Sequence, residues 1–412
     1  MALKAATLGA LREPEFRKLF LGQAISVAGV MFTVVALPFA VLSIGGSATD
    51  IGLVEAANLV PLTIFLLAGG VWADRLPRQK VMLAADFLRA VLQVTAAGLL
   101  IGGVARVWHL VLLQVAMGVS EAFFRPAYTG LVPQTVSTER LQQANALQGL
   151  VQSGAVTVGS LFAGLLVAAL GAGWAIGIDG LTYLVSAWFL WRLRPRPITR
   201  GAPAEPSFVR DLVAGWREFA GHTWLWVMVA GASLFLFAIE GPITVLGPIV
   251  SRDAYDGART WGFAAAAVGI GQIVGGVLSL RWRPRRPMFI IAAGMSFAAL
   301  PVALLAMRAP VWTLLAALTA MGVEWGLYDP FWLTCMQREV PAEMISRVSS
   351  YDTLGSLAFY PAGLALAGPL ADSFGIGTVL WVSAGVAIAV SLFQVSSGDV
   401  RAVHGWPPPL SE

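Results

Sequence analysis

The chain has 412 residues, 57% of them hydrophobic and 12% charged, with a mean hydropathy of +0.75 and a formal charge of +4. Soluble domains carry about 25% charged residues, and a water-soluble fold of this length could not hide so much apolar surface. Lipid is the expected solvent, and the 44 Gly and 15 Trp suit close helix contacts and membrane interfaces. A single cysteine, Cys335, excludes an internal disulfide framework, and three scattered histidines, His109, His222 and His404, have no ligand spacing, so neither metal nor cofactor is expected.

The opening stretch, MALKAATLGALREPEFRK, is too charged and interrupted for a cleavable signal peptide. A membrane helix needs about 20 mostly apolar residues. Twelve runs qualify: 17–44, 50–73, 80–102, 107–131, 142–170, 174–193, 223–250, 260–281, 288–307, 311–333, 347–371 and 377–397. Pro38, Pro61, Pro242 and Pro361 fall inside them, which membrane helices tolerate. Most connections are short. The long one, 194–222, is rich in Pro and Arg, and its part from Phe208 to Phe219 is amphipathic and suited to the membrane surface. The expected fold is an all-α membrane protein of two six-helix bundles, 1–193 and 223–397. The 194–222 linker joins them and a tail, 398–412, follows.

Basic residues set the expected orientation. With the amino terminus cytoplasmic, 21 of the 27 Lys and Arg lie on the cytoplasmic side and four (Arg106, Arg252, Arg259, Arg308) outside, while Arg89 and Arg125 fall within spans. Both termini are therefore expected inside a bacterial cytoplasmic membrane, and the positive charge needs no nucleic-acid partner.

The sequence also repeats. Val107-Trp108 recurs as Val311-Trp312, Ala116-Met-Gly-Val119 as Ala320-Met-Gly-Val323, and Pro126, Glu139, Gly159, Gly164, Gly171 and Gly173 as Pro330, Glu343, Gly363, Gly368, Gly375 and Gly377, all at an offset of 204. Two homologous six-helix halves with a central binding site describe one kind of secondary transporter.

Between the second and third runs lies GGVWADRLPRQK, 69–80. Gly70, Asp74, Arg75, Arg78 and Lys80 fit the pattern G-x-x-x-D-R-x-G-R-[RK]-[RK], with Pro77 in place of its Gly and Gln79 in place of a base. This resembles the signature loop of the major facilitator superfamily, and a decayed copy stands at 275–286. Gly70 permits close helix approach, and Asp74 can accept hydrogen bonds at a helix amino terminus, where the dipole favours an anion. The resemblance implies that this helix is the eleventh, starting near Arg347, and that the loop is a conformational latch for the outward-open state. FFRPA at 123–127, Asp86-Phe-Leu-Arg89 and PAEMISRV at 341–348 resemble the enterobactin-exporter and macrolide-efflux branch, which implies export of small organic molecules driven by proton influx. Two departures weaken the antiport inference: Gln114 stands where many drug–proton antiporters have Arg, and Ser160 where their Gly-Pro motif has Pro.

Asp86 and Arg89 lie about 10 Å into the third span, and Arg125 about as far into the fourth. A buried unpaired charge is costly. Asp74, Asp86, Arg89 and Arg125 are therefore expected to form one inner charge network, with Asp329 and Asp352 in a related one, bracing helices more than doing transport chemistry. Glu121 and Glu324 fall about 20 Å from the outer ends of their spans, near the midplane. A desolvated carboxyl there can load and release a proton. Glu121 could instead pair with Arg125, one turn on, whereas Glu324 has no basic neighbour at that spacing. Glu55 and Glu240, nearer the outside, are vestibule candidates, and Asp179 is expected to hydrogen-bond locally. Gln114, Gly118, Glu121 and Arg125 share one helical face. Gln114, Gln148, Gln152, Trp325 and Tyr328 are cavity candidates.

The expected function is proton-coupled export of a small hydrophobic or cationic compound such as a drug, siderophore or secondary metabolite, by a monomer. An importer or facilitator on the same fold is the alternative. An enzyme or receptor is disfavoured by the lack of a reactive cluster, and an ATP-driven pump by the lack of a GxxxxGK[ST] loop.

Overall fold

The computed structural model describes residues 9–196, 208–341 and 344–404, giving the backbone alone for 66–75, 208–212, 214 and 346. Twelve helical spans stand among these residues. The first six are Pro14–Ser43, Ala48–Arg75, Arg78–Ile101, Val107–Gln134, Thr138–Leu170 and Ala172–Trp191. The other six are Thr223–Ala254, Ala258–Ser279, Pro287–Ala306, Val311–Glu339, Arg347–Phe374 and Ile376–Ser396. Helices satisfy their own backbone hydrogen bonds, the condition for an open segment to cross hydrocarbon. Their outer faces carry apolar side chains such as Ile64, Trp108, Leu150, Phe162, Trp191, Trp312 and Leu392. In water these would be a liability; they suit a lipid surface. A shorter helix, Phe208–Gly221, precedes the seventh span.

The chain divides into two compact units, Met1–Arg200 with Asp256–Ala266, and Gly201–Tyr255 with Ala267–Glu412. The internal repeat is visible in their turns. Gly171 (φ 89°) and Gly375 (φ 85°) hold the same left-handed position before spans six and twelve. Gly103 (φ 69°) and Arg308 (φ 52°) do so after spans three and nine. Arg308 is the non-glycine residue in that region, which costs it strain that Gly103 escapes.

In the first unit, spans two and four pack closely, as do three and six, and one and six. Phe16, Leu19, Met82, Leu131 and Leu190 close the core at one end. In the second unit the core holds Trp224, Met228, Met288, Phe331 and the free Cys335. Several spans leave regular α geometry: π turns occupy Ala155–Gly159 in the fifth and Leu236–Glu240 in the seventh, a 3-10 turn occupies Met295–Ala298 in the ninth, and the eleventh breaks between Leu357 and Tyr360.

The repeated Ala-Met-Gly-Val segment explains one of these packings. A β-carbon on Gly118 would overlap the Asn58 carbonyl of span two, and one on Gly322 would overlap the Val268 carbonyl of span eight. Both glycines let two helix backbones touch. Gly118→Val and Gly322→Val are each expected to destabilise the protein by about 1–3 kcal/mol or more, since neither neighbour is a side chain that can swing away. Gly98→Val, at a glycine with nothing within 4 Å, serves as the neutral control. Thermal unfolding in detergent compares the three.

Candidate functional site

The densest group of buried polar side chains lies where spans one, three and six meet. Asp86 (0% exposed), Arg89 (6%) and Gln93 (3%) recur along one face of span three. Arg89 Nη2 stands 3.2 Å from Asp86 Oδ1, and the guanidinium lies 3.9 Å over Phe124 and 4.9 Å over Tyr183. On span six, Asp179 is fully buried. Its Oδ2 accepts from the Thr33 hydroxyl and from Gln93 Nε2, both at 2.6 Å, and Gln93 Nε2 also donates to Thr33 at 2.7 Å. Gln23 Nε2 donates to Ser186 Oγ at 3.1 Å. Each bond joins two helices, which suits a group that must stay ordered away from water.

Arg125 stands apart from this group. Its Nε donates to Glu121 Oε1 at 2.8 Å, one turn back on span four, and the pair is partly exposed. Of the expected inner network, Arg89 pairs with Asp86 and Arg125 with Glu121, and the side chain of Asp74 lies outside the described residues. Arg125 follows the local partner because the i, i+4 spacing brings the two side chains together. The shared face of span four also divides: Gln114 is buried and accepts from Asn58 Nδ2 at 3.2 Å, tying span four to span two. Gln148 and Gln152 line a cavity of about 380 Å³ with Phe20, Gln23, Tyr128 and Asn145. Its wall is amide-rich, able to donate and accept without a fixed charge. Glu55 is half-buried on span two.

In the second unit, Glu324 turns toward span nine: a β-carbon on Gly294 would lie 2.6 Å from its Cγ. Its Oε1 is buried without a hydrogen-bond partner. Asp352 of span eleven accepts from Trp332 Nε1 of span ten at 3.0 Å, while Asp329, also on span ten, is exposed. Tyr328 stacks on Trp332 with centroids 5.9 Å apart, and Trp325 meets Phe235 edge-on at 6.4 Å. Glu240 is half-buried in the π turn of span seven. An open apolar groove of about 760 Å³ runs along Trp216, Phe219, Phe237 and Tyr351.

Of the signature loop, the side chains of Gly70, Asp74 and Arg75 lie outside the described residues. Arg78 Nη1 donates to the Gly130 carbonyl at 2.6 Å, and Lys80 is exposed. Gln79, where the pattern has a base, donates to the carbonyls of Leu190 (2.7 Å) and Leu193 (2.8 Å), capping the end of span six.

Sequence reasoning did not single out Thr33, Gln93, Ser186 or Glu13. The run Asp86, Arg89, Gln93 carried a signal, a polar stripe at helical spacing, but only the fold shows which helices face it. Glu13, just before the first span, accepts from the Ser137 amide and hydroxyl (3.1 and 2.7 Å) and from Arg196 (2.8 Å). Burial pushes this carboxyl up, but Ser137 and the Arg196 guanidinium outweigh it and hold it below its ordinary value. Its stabilisation is therefore fully present above the usual glutamate range and is lost as pH falls through the lowered value. Glu13→Gln is expected to flatten the acid limb of a thermal-stability profile; an unchanged limb would assign the acid loss elsewhere.

The family model described as Major Facilitator Superfamily matches residues 19–359. The chain is 30% identical to a protein of Mycolicibacterium fortuitum named multidrug efflux pump Tap, over 85% of this chain and 87% of that one. It is 24% identical to macrolide efflux protein A of Streptococcus pyogenes, over 94% and 96%. It is 26% identical to enterobactin exporter EntS of Salmonella choleraesuis, over 96% and 95%. Among solved structures, that of the nucleoside transporter NupG superposes with a TM-score of 0.72 at 13% identity, covering 93% of this chain and 98% of that one; the likeness concerns the fold.

Proposed function

The chain belongs to the major facilitator superfamily, as a multi-pass membrane transporter and not an enzyme, and from that premise we propose that it exports a small hydrophobic or cationic organic compound in exchange for protons. The observation that carries this reading is the near full-length similarity to three proteins named for efflux or export. The amide-lined cavity of the first unit supports it, because Gln148, Gln152 and Asn145 can orient a polar group while Phe20 and Tyr128 contact an apolar body. Export of a drug, siderophore or secondary metabolite proceeds by alternating access of the two six-helix halves, 1–193 and 223–397. In this reading a monomer suffices, both termini face the cytoplasm, and the membrane is the bacterial cytoplasmic one. Glu324 and Glu121 are the proton-coupling candidates. Glu55, Glu240, Gln114, Trp325 and Tyr328 are candidates for the substrate path.

Purified protein in liposomes with a trapped pH dye tests this. Lipophilic cations, macrolides and siderophores are added in turn. Proton movement opposite to the compound supports antiport, and movement in the same direction would make the protein an importer. The loop 69–80 acts as the latch of the cycle. Asp74→Asn is accordingly expected to impair transport while expression and membrane insertion hold, and normal turnover in that variant would remove the latch.

A further inference from the structure

The junction of spans one, three and six holds two fully buried carboxyls, Asp86 and Asp179, and one guanidinium, Arg89. We propose that this cluster is a proton-binding site in the first half, with Asp86 as the carboxyl that takes up and releases the proton, Asp179 as a fixed anion and Arg89 as their shared counter-ion. With both acids ionised the group carries one uncompensated negative charge among buried side chains, and a single bound proton removes it.

The hydrogen bonds assign the two roles. Asp179 receives the Thr33 hydroxyl and the Gln93 amide at 2.6 Å each, with Thr182 Oγ1 at 3.4 Å from its other oxygen. Such a shell of donors favours a permanent carboxylate. Asp86 has no such shell. Its polar neighbours are Arg89 Nη2, at 3.2 Å on its own span, and the Ser186 hydroxyl, which also accepts from Gln23. The same shell argues against a metal cation, since N–H and O–H groups, and not free lone pairs, point at Asp179. Span one contributes the uncharged Gln23, Ser26 and Thr33 to this region. Span four carries Glu121 and Arg125, which pair with each other apart from the cluster, and span six adds Tyr183 beneath the guanidinium.

The internal repeat supports the location. Spans three and nine end in the same turn: the Val104 amide donates to Leu99 at 3.1 Å and the Ala309 amide to Leu304 at 2.9 Å. Aligned on that turn, Gly294 stands where the first half has Arg89, and the side chain of Glu324 fills the space above Gly294. Each half thus places an ionisable side chain at the same layer between its third and fourth helices. The inference rests on proton-driven transport only for its use; the proton site itself is read without substrate.

Infrared difference spectra of the wild-type protein in lipid films, titrated with pH in H2O and D2O, test it. The probe is the carbonyl stretch of a protonated carboxylic acid. A titrating acid band is expected in the wild type, lost in Asp86→Asn and shifted in frequency in Asp86→Glu. It is also expected to be lost in Asp179→Asn, because Arg89 then serves Asp86 alone and keeps it ionised. Glu324→Gln should leave that band in place. No titrating acid band in the wild type, or one that survives both Asp86→Asn and Asp179→Asn, overturns the proposal. So does a band removed by Glu324→Gln alone, and loss in Asp86→Asn with retention in Asp179→Asn overturns the sharing of Arg89. Should Asp86→Asn fail to fold, the wild-type titration and the Asp86→Glu shift decide. Substrate-driven flux in the liposome assay is a separate readout, so loss of antiport with a retained Asp86 band would sink the transport reading alone.

Discussion

Arg89→Gln is expected to destabilise the first unit by about 3–5 kcal/mol, the usual consequence of removing one partner of a buried ion pair. The side chain is 6% exposed and touches groups from three helices: Asp86 on its own span, Phe124 on span four and Tyr183 on span six. Removing it strands the Asp86 carboxyl without a cation and takes the flat guanidinium from between two rings. Glutamine keeps most of the stem and a polar head, so lost volume contributes little and lost charge dominates. Adding Asp86→Asn to Arg89→Gln should recover a good part of the loss, because Asp179 still has its Thr33 and Gln93 donors. Chemical unfolding in detergent, followed by tryptophan fluorescence, gives both numbers. A loss under about 1 kcal/mol for the single variant would mean that water reaches this site and screens the pair. No recovery in the double variant would mean that the ring contacts, and not the charge, carry the stability.

The elements could be read from the chain because one constraint dominates them. A span must be about 20 apolar residues long and helical, so run length alone locates it to within a few residues. The predicted 80–102 and 107–131 stand beside the observed Arg78–Ile101 and Val107–Gln134. The repeat was legible for a related reason. Gly118 and Gly322, or Gly171 and Gly375, are fixed by backbone geometry, which tolerates no other residue, and so they keep register while lipid-facing positions drift. The site was less legible, because charged side chains have long reach. The positions of Arg125 and Arg89 place each within a turn or two of several acids. Only the rotation of each helix separates Arg125 with Glu121 from Arg89 with Asp86. Rotation also decides Glu324. Its depth in span ten follows from counting residues, but the sequence does not say that it turns toward Gly294 of span nine. Glu13 was silent for a third reason: its partners Ser137 and Arg196 lie in separate loops, joined by tertiary contact alone.

Glu324→Gln is expected to reduce net proton-driven transport to background while leaving exchange of substrate for substrate across the membrane. The geometry supplies the reason. Among the described residues no Lys or Arg pairs with Glu324, its Oε1 is buried without a partner, and its side chain is seated on Gly294. A buried carboxyl with no cation beside it is stable when neutral, and it can lose its proton only where water or a base reaches it. Span nine is irregular there. The 3-10 turn at Met295–Ala298 interrupts the regular ladder, and the Ala293 carbonyl accepts from Ser296 at 2.7 Å and from Ser391 of span twelve at 3.4 Å. Glutamine matches the neutral acid in size and polarity, so packing against Gly294 survives and the cycle of a loaded, neutral carrier continues. The variant has no proton to release, so a pH gradient can no longer drive accumulation. Two assays on one preparation separate the outcomes: dye-reported proton flux with substrate added, and exchange of labelled for unlabelled substrate at equal pH. Loss of flux with exchange intact is the signature of a coupling residue. Loss of both would make Glu324 a structural or substrate-contacting group, and unchanged flux would place coupling in the first half, at Asp86 or Glu121.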